Sequence, residues 1–184
     1  MSQFNYDQEV ERLLCQCGIA VDVSGNRTNV SLHRITCHFG IEYREKPLDD
    51  DMGGAWLRSL STEITPHYIY VNSRHGPTRK RFSYGHEIGH FWLGHESDWS
   101  LESNRDQDKE AEANAFSAAL NMPMDALYAI HHRSRTIKQI ANWFCVSQIA
   151  AAFRLKNASL RPEEAEMVIL DYRSHSDTSD SVIK

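Results

Sequence analysis

The chain of 184 residues lacks any run of about eighteen apolar residues, the length that a helix needs to cross a bilayer. We therefore expect no membrane-spanning segment. Residues 1–7 also lack the basic start and the apolar stretch that mark a secretion signal. These two absences predict a cytoplasmic protein.

Cysteine is scarce, and an excess of positive charge is absent. The four cysteines lie at positions 15, 17, 37 and 145, and the C-x-C pair at 15 and 17 has no second pair with which to form a zinc knuckle. Without a secretion signal, we expect all four to be reduced thiols. The formal net charge of −5 argues against a strongly basic nucleic-acid-binding protein.

The hydrophobic pattern predicts an α+β fold, and a hydrophobic content of 41% is sufficient for a buried core. Two short helices are expected first, at residues 3–17 and 28–38. A small antiparallel sheet follows, with strands at 41–44, 53–58 and 67–72. After Pro77 the pattern is helical, and it predicts helices at 78–93, with Thr78 as the candidate cap, and at 109–121, 124–132 and 162–172. Residues 136–156 are either one helix or two.

The segment His86-Glu87-Ile88-Gly89-His90 is an H-E-x-x-H sequence within one of these predicted helices. Two histidines four residues apart project from the same helix face, so both imidazoles can bind one tetrahedral Zn²⁺. Glu87 lies about 100° around the helix, next to the metal rather than on it, which is the position of a general base. The motif predicts a metal site with His86 and His90 as ligands and Glu87 as the catalytic residue.

A catalytic zinc has three protein ligands, so a third ligand is expected on another element. The pattern with a further histidine six residues after His90 fails, because that position is Glu96. Glu110 and Asn114 share one face of the next helix, which makes Glu110 the candidate ligand and Asn114 its support from outside the coordination sphere. Glu112 lies roughly opposite. The alternative is that both glutamates belong to a solvated first helical turn.

Two segments carry a resemblance to a known family. The first is residues 81–90, Arg-Phe-Ser-Tyr-Gly-His-Glu-Ile-Gly-His, and the second is Glu110-x-x-x-Asn114-x-Phe116, which continues to Met122-Pro123. Together they resemble the ImmA/IrrE family of zinc metallopeptidases, over roughly residues 28–125. In that family the strand before the motif commonly ends in Asn, as at Asn72. The chain departs from the family pattern at two positions, Ser117 and Asn121.

The resemblance implies a zincin-like α+β core, Zn²⁺ as cofactor, Glu110 as the third ligand and an intracellular peptidase activity. It also implies the partner: a helix-turn-helix transcriptional repressor, often encoded beside the peptidase, whose cleavage relieves repression. The alternative is a non-catalytic DNA- or protein-binding regulator with a structural zinc. Such a site would be closed by a fourth ligand, with His95 or Cys145 as the candidate, and would need no base at Glu87.

The predicted organisation is a zincin-like domain over residues 1–125, a helical subdomain over 126–172 and a polar tail over 173–184 that we expect to be disordered. Within the subdomain, residues 137–155 resemble a helix-turn-helix. Its second helix offers one arginine, Arg154, and few polar groups that reach base edges. We therefore favour core packing over DNA binding for these helices.

Two further features leave alternatives open. The segment Gly53–Arg58 is either an edge strand that pairs with an extended substrate or an ordinary glycine-rich strand. His95 either supports the site or is a surface histidine that follows the helix stop at Gly94.

Overall fold

A computed structural model of the chain describes residues 5–24, 30–58, 67–95, 106–134 and 136–179. Over these ranges it confirms the predicted α+β class. The helices are α1 Tyr6–Gln16, α2 Leu32–His38, α3 Pro77–Trp92, α4 Gln107–Asn121, α5 Met124–His131, α6 Ile137–Phe144, α7 Gln148–Asn157 and α8 Pro162–Ser179. The strands are β1 Ile41–Lys46, β2 Gly54–Arg58 and β3 His67–Asn72. Glu96 and the expected start of the second helix at residue 28 lie outside the described residues.

Most helix starts follow from side chains that satisfy the first backbone N–H groups. Asn5, Ser31, Asp106, Thr136 and Ser147 accept such hydrogen bonds at the starts of α1, α2, α4, α6 and α7. Helix α3 differs, because Gly76 caps it without a side chain and Pro77 occupies its first turn. The helix begins at Pro77, and the expectation that Thr78 caps it was wrong.

The sheet is mixed, so the expected antiparallel pairing is correct for β2 with β3 and wrong for β1 with β3. Strand β3 lies in the middle, with β1 parallel to it on one side and β2 antiparallel to it on the other. Strands that follow one another in sequence usually pair, whereas β1 and β2 are here separated by β3. Strand β2 is consequently an edge strand of the described sheet.

Asn72, the last residue of β3, is fully buried and organises the connection between β1 and β2. Its side-chain amide donates to the carbonyl oxygens of Asp49 at 2.9 Å and Met52 at 3.0 Å. Its Oδ1 accepts from the backbone N–H of Leu48 at 3.2 Å. Because a buried amide is costly unless it is hydrogen-bonded, these contacts hold the chain that leads into β2.

Helices α3 and α4 approach closely because α3 has glycines where it meets α4. A Cβ atom on Gly85 would lie 2.7 Å from Ser117 Oγ and 2.8 Å from Asn121 Nδ2. A Cβ atom on Gly89 would lie 3.3 Å from the Cα atom of Ala113. The two positions that depart from the family pattern therefore face Gly85 rather than the predicted metal ligands.

The buried side chains form two clusters that meet at the C-terminal end of α4. The first is built on α1, α2, the sheet, α3 and most of α4, and it includes Leu13, Ile69, Ile88, Phe116 and Leu120. The second is built on α5 to α8, and it includes Met122, Leu127, Ile140, Phe144, Leu155 and Ile169. This division supports our proposal of two units with a boundary near residue 125. Val21, however, packs against both clusters.

The region predicted at 136–156 as one helix or two is two helices, and the final helix is longer than expected. Cys145, with φ 56°, ends α6 in the left-handed conformation, and α7 begins three residues later. Helix α8 continues to Ser179, whereas we expected it to end near residue 172 and to give way to a disordered tail. Within the described residues, no helix is both long and apolar enough to cross a membrane.

Arg154, the arginine considered for reading DNA, is buried instead. Its guanidinium forms an ion pair with Asp7 of α1 and donates to the carbonyl oxygen of Met122 at 3.2 Å. An arginine engaged in this way cannot reach a base edge, so core packing accounts for α7.

Candidate metal centre

Three side chains of α3 and α4 converge at one point. His86 and His90 lie one turn apart on α3, with their Nε2 atoms 2.9 Å from each other. Glu110, in the first turn of α4, places Oε2 at 3.3 Å from His86 Nε2 and Oε1 at 3.4 Å from His90 Nε2. These three residues are the described group that can hold a metal ion. They are also the three ligands proposed from the sequence.

The group fits a tetrahedral metal. With ligand distances of about 2.0–2.1 Å, neighbouring donor atoms around a tetrahedral zinc lie about 3.3 Å apart. The two Nε2 atoms here are 2.9 Å apart, and each lies 3.3 to 3.4 Å from a different oxygen of Glu110. Two imidazoles and one carboxylate form one of the ligand sets of catalytic zinc, which leaves a fourth position for water or substrate.

His86 is oriented by Asn114, one turn after Glu110. The Nδ1 atom of His86 lies 3.0 Å from Asn114 Oδ1, so its N–H donates to the amide oxygen and Nε2 faces Glu110. Burial alone would lower the pKa of His86, but the hydrogen bond with Glu110 and the charges of Glu87 and Glu110 raise it above the ordinary histidine value. A group of negative charges that favours a proton on His86 also attracts a metal cation.

Glu87 is buried beside the edge strand. It is 6% exposed, and a Cβ atom on Gly54 would lie 3.1 Å from Glu87 Oε1 and 2.7 Å from the carbonyl oxygen of Tyr70. Only glycine at this position of β2 allows the strand to approach the carboxylate so closely. The predicted base therefore lies between the ligand helix α3 and an edge strand.

His95 and Glu112 are the residues whose importance the sequence did not establish. His95 is 7% exposed, so of the two alternatives that the sequence left open, the surface histidine is excluded. Its Nδ1 lies 2.8 Å from His90 Nδ1, and its Nε2 lies 3.0 Å from Glu112 Oε2. Glu112 therefore faces His95, whereas Glu110 faces His86 and His90.

The C-terminal cap of α3 brings His95 to His90. Gly94 takes a left-handed conformation with φ +71°. The backbone N–H of His95 then donates to the carbonyl oxygen of His90 at 3.0 Å, and that of Gly94 donates to Phe91 at 3.3 Å. This is the Schellman motif, in which the chain turns back over the last helical turn. The sequence signal for this contact was a glycine helix stop followed directly by a histidine, at Gly94 and His95.

An α+β fold in which two histidines and a glutamate could hold one metal ion is the arrangement expected of a metallopeptidase. Residues 38–156 match the family model of the IrrE N-terminal-like domain, peptidase M78. This match covers more than half of the chain, so the protein belongs to that family, as the resemblance indicated.

Among solved structures, a Mycobacterium tuberculosis transcriptional regulator is similar, with a TM-score of 0.55 and 17% sequence identity. The alignment covers 82% of this chain and 46% of that one, so this chain spans less than half of the regulator's length. At this identity the likeness concerns the fold alone. A search of curated proteins found no match.

Proposed function

We propose that the protein is a zinc-dependent endopeptidase in which His86, His90 and Glu110 bind the metal and Glu87 is the general base. The observation that carries this proposal is the position of Glu87, buried between α3 and β2. A structural zinc has no use for an additional carboxylate there, whereas peptide hydrolysis needs a base beside the bound substrate.

The side chains of the site have separate roles in peptide hydrolysis. A bound zinc ion would supply Lewis acidity, which polarises the scissile carbonyl and makes water more acidic. Glu87 accepts the proton of the attacking water and then donates it to the leaving amine nitrogen. Asn114 keeps the His86 ring oriented through its hydrogen bond at 3.0 Å.

Strand β2 is the element that would hold the substrate. It pairs with β3 along one edge, and no strand among the described residues pairs with its other edge. An extended peptide that adds to this edge would gain main-chain hydrogen bonds and would run past Gly54, next to Glu87. This supports the interpretation of Gly53–Arg58 as a substrate-binding strand.

The alternative, a regulator with a structural zinc, requires a fourth protein ligand. Neither candidate belongs to the metal-binding group of the described residues. His95 is directed towards Glu112 through its Nε2 atom. The thiol of Cys145 lies at the end of α6, 3.9 Å from the carbonyl oxygen of Asn142. A three-ligand site with an open position supports the enzyme.

We infer that the substrate is a helix-turn-helix transcriptional repressor encoded beside this protein, which would place the activity in the cytoplasm. The family membership supports a protein substrate. Selectivity would come from contacts along β2 rather than from one deep side-chain pocket, so generic proteins should be poor substrates.

The test compares wild type, Glu87→Gln and the control Glu11→Gln, an exposed position on α1, on two substrates: the neighbouring repressor and casein. We expect wild type and Glu11→Gln to cut the repressor at one or a few bonds and to leave casein intact. Glu87→Gln should bind zinc normally but lose roughly 10²–10⁴-fold in cleavage rate, since an amide cannot accept the proton. Cleavage that survives in Glu87→Gln would contradict the mechanism. Glu87-dependent digestion of casein, with the repressor left intact, would contradict the substrate.

A further inference from the structure

His95 and Glu112 form a polar connection behind the proposed ligand His90. The His95 ring is almost fully buried, and both of its nitrogens have partners: His90 Nδ1 at 2.8 Å and Glu112 Oε2 at 3.0 Å. The rings of His90 and His95 are 5.0 Å apart at an angle of 67°. The two residues come from different segments, since His95 follows the α3 cap and Glu112 lies on α4.

The direction of the hydrogen bonds follows from the carboxylate. An ionised Glu112 can only accept, so His95 Nε2 must carry a proton and donate it. In the neutral ring Nδ1 is then unprotonated and can accept from His90 Nδ1–H. His90 consequently presents the lone pair of Nε2, the atom that lies 2.9 Å from His86 Nε2 and 3.4 Å from Glu110.

We propose that the His95–Glu112 pair is a positioning device that keeps His90 in the Nδ1–H tautomer and holds its ring towards the metal. The proposal deepens the proposed function and rests on it, because it assigns a purpose to residues behind a proposed zinc ligand. Neither residue touches the reacting atoms, and both act through His90. Partners of this kind contribute to metal affinity by fixing the ligand before the metal binds.

The two ligand histidines of α3 are thus held by different acceptors. His86 donates to the amide oxygen of Asn114, which is on the same helix as Glu110. His90 donates to a histidine that is itself held by a carboxylate. Since His90 lies near the end of α3, where helices fray, the additional connection to α4 fixes the ring at the weaker end of the site.

The experiment measures zinc affinity by competition with a chromophoric chelator in wild type and three variants. His95→Leu removes the acceptor and should weaken zinc binding by about 10–100-fold, the effect typical of such partners. His95→Asn keeps an acceptor oxygen near the place of Nδ1 and should restore most of the affinity. His131→Leu is the control. His131 is also a buried histidine, but it lies on α5, which does not contribute to the proposed metal site.

A second readout records the imidazole ¹⁵N signals of His90 in the metal-free protein, at a pH where the ring is neutral. Wild type and His95→Asn should contain the Nδ1–H tautomer, whereas His95→Leu and Glu112→Gln should contain a mixture. Asp108→Asn, an exposed acid in the first turn of α4, should match wild type. A residue that only packs the helix end would change stability without changing the tautomer.

The outcomes separate this inference from the proposed function. If wild type fails to bind zinc, the metal site itself is wrong. If wild type binds zinc tightly and His95→Leu binds it equally well, the positioning by His95 and Glu112 is wrong while the site stands. An Nε2–H tautomer of His90 in wild type would also overturn it.

Discussion

The candidate site depends on a few side chains that differ in how directly each would act. Three of them, His86, His90 and Glu110, bring nitrogen and oxygen atoms that can bind a metal to within 2.9–3.4 Å of each other in pairs. The lone pairs of these atoms repel one another at such distances unless a proton or a cation lies between them. The raised pKa of His86 expresses the same preference.

We expect wild type to bind about one zinc ion per chain and His86→Ala/His90→Ala to bind none, because one remaining ligand cannot hold the metal. Glu110→Gln should bind zinc more weakly than wild type. Metal analysis after dialysis measures the content, with His33→Ala on the exposed side of α2 as the control. Chelator should lower the Tm of wild type but not that of the double variant. Full zinc occupancy in the double variant would contradict the site.

At the scale of elements, the site exists because α3 and α4 lie close enough for Glu110 to meet two histidines on the neighbouring helix. Gly85 and Gly89 permit this approach, and α4 presents the small side chains of Ala113 and Ser117 to them. On the other side of α3, the Tyr84 hydroxyl and Thr36 Oγ1 are 2.6 Å apart, which connects α3 to α2. The ligand helix is therefore fixed from two directions.

Gly85→Ala should separate α3 from α4. The new Cβ atom would meet Ser117 Oγ at 2.7 Å and Asn121 Nδ2 at 2.8 Å, and overpacking of this kind costs about 1–3 kcal/mol. We expect a lower free energy of unfolding in urea together with weaker zinc binding. Gly76→Ala is the control, since a Cβ atom there meets nothing within 4 Å. Unchanged zinc affinity in Gly85→Ala would indicate that the spacing of the two helices does not determine the site.

At the scale of the whole molecule, polar contacts from the N-terminal part reach the second hydrophobic cluster. Asp7 of α1 pairs with Arg154 of α7, and Arg154 also donates to the carbonyl oxygen of Met122, where the two clusters meet. Arg133 donates to the carbonyl oxygen of Val23 at 2.8 Å. The C-terminal helices are therefore attached to the proposed catalytic unit by specific polar contacts as well as by α4.

Arg154→Met keeps most of the side-chain volume but removes these hydrogen bonds. Because hydrogen bonds to charged groups contribute about 1.5–3 kcal/mol, we expect the free energy of unfolding in urea to fall by roughly that amount. Arg12→Met, at an exposed position on α1, should change it by less than about 0.5 kcal/mol. Equal effects of the two substitutions would contradict the connection. Loss of DNA binding without loss of stability would restore the DNA-reading interpretation.

The sequence by itself determined the features that depend on local spacing. The repeat of apolar residues, together with caps such as Thr136 and Ser147, predicts most helices to within a few residues. The i, i+4 spacing of His86 and His90 predicts a shared helix face, and the same rule joins Glu110 to Asn114. The motifs also predicted the family, which the match over residues 38–156 confirms.

Only the tertiary structure decided which distant residues meet. It pairs β1 with β3 in parallel, brings Glu112 to His95 and buries Arg154 against Asp7. In each case the residue pattern of one segment does not say which other segment it will contact. Local periodicity reports which face of an element is apolar, but not which neighbour covers it. That choice follows from how all the elements together bury apolar area and satisfy buried polar groups, so the partner of His95 became visible only in the folded chain.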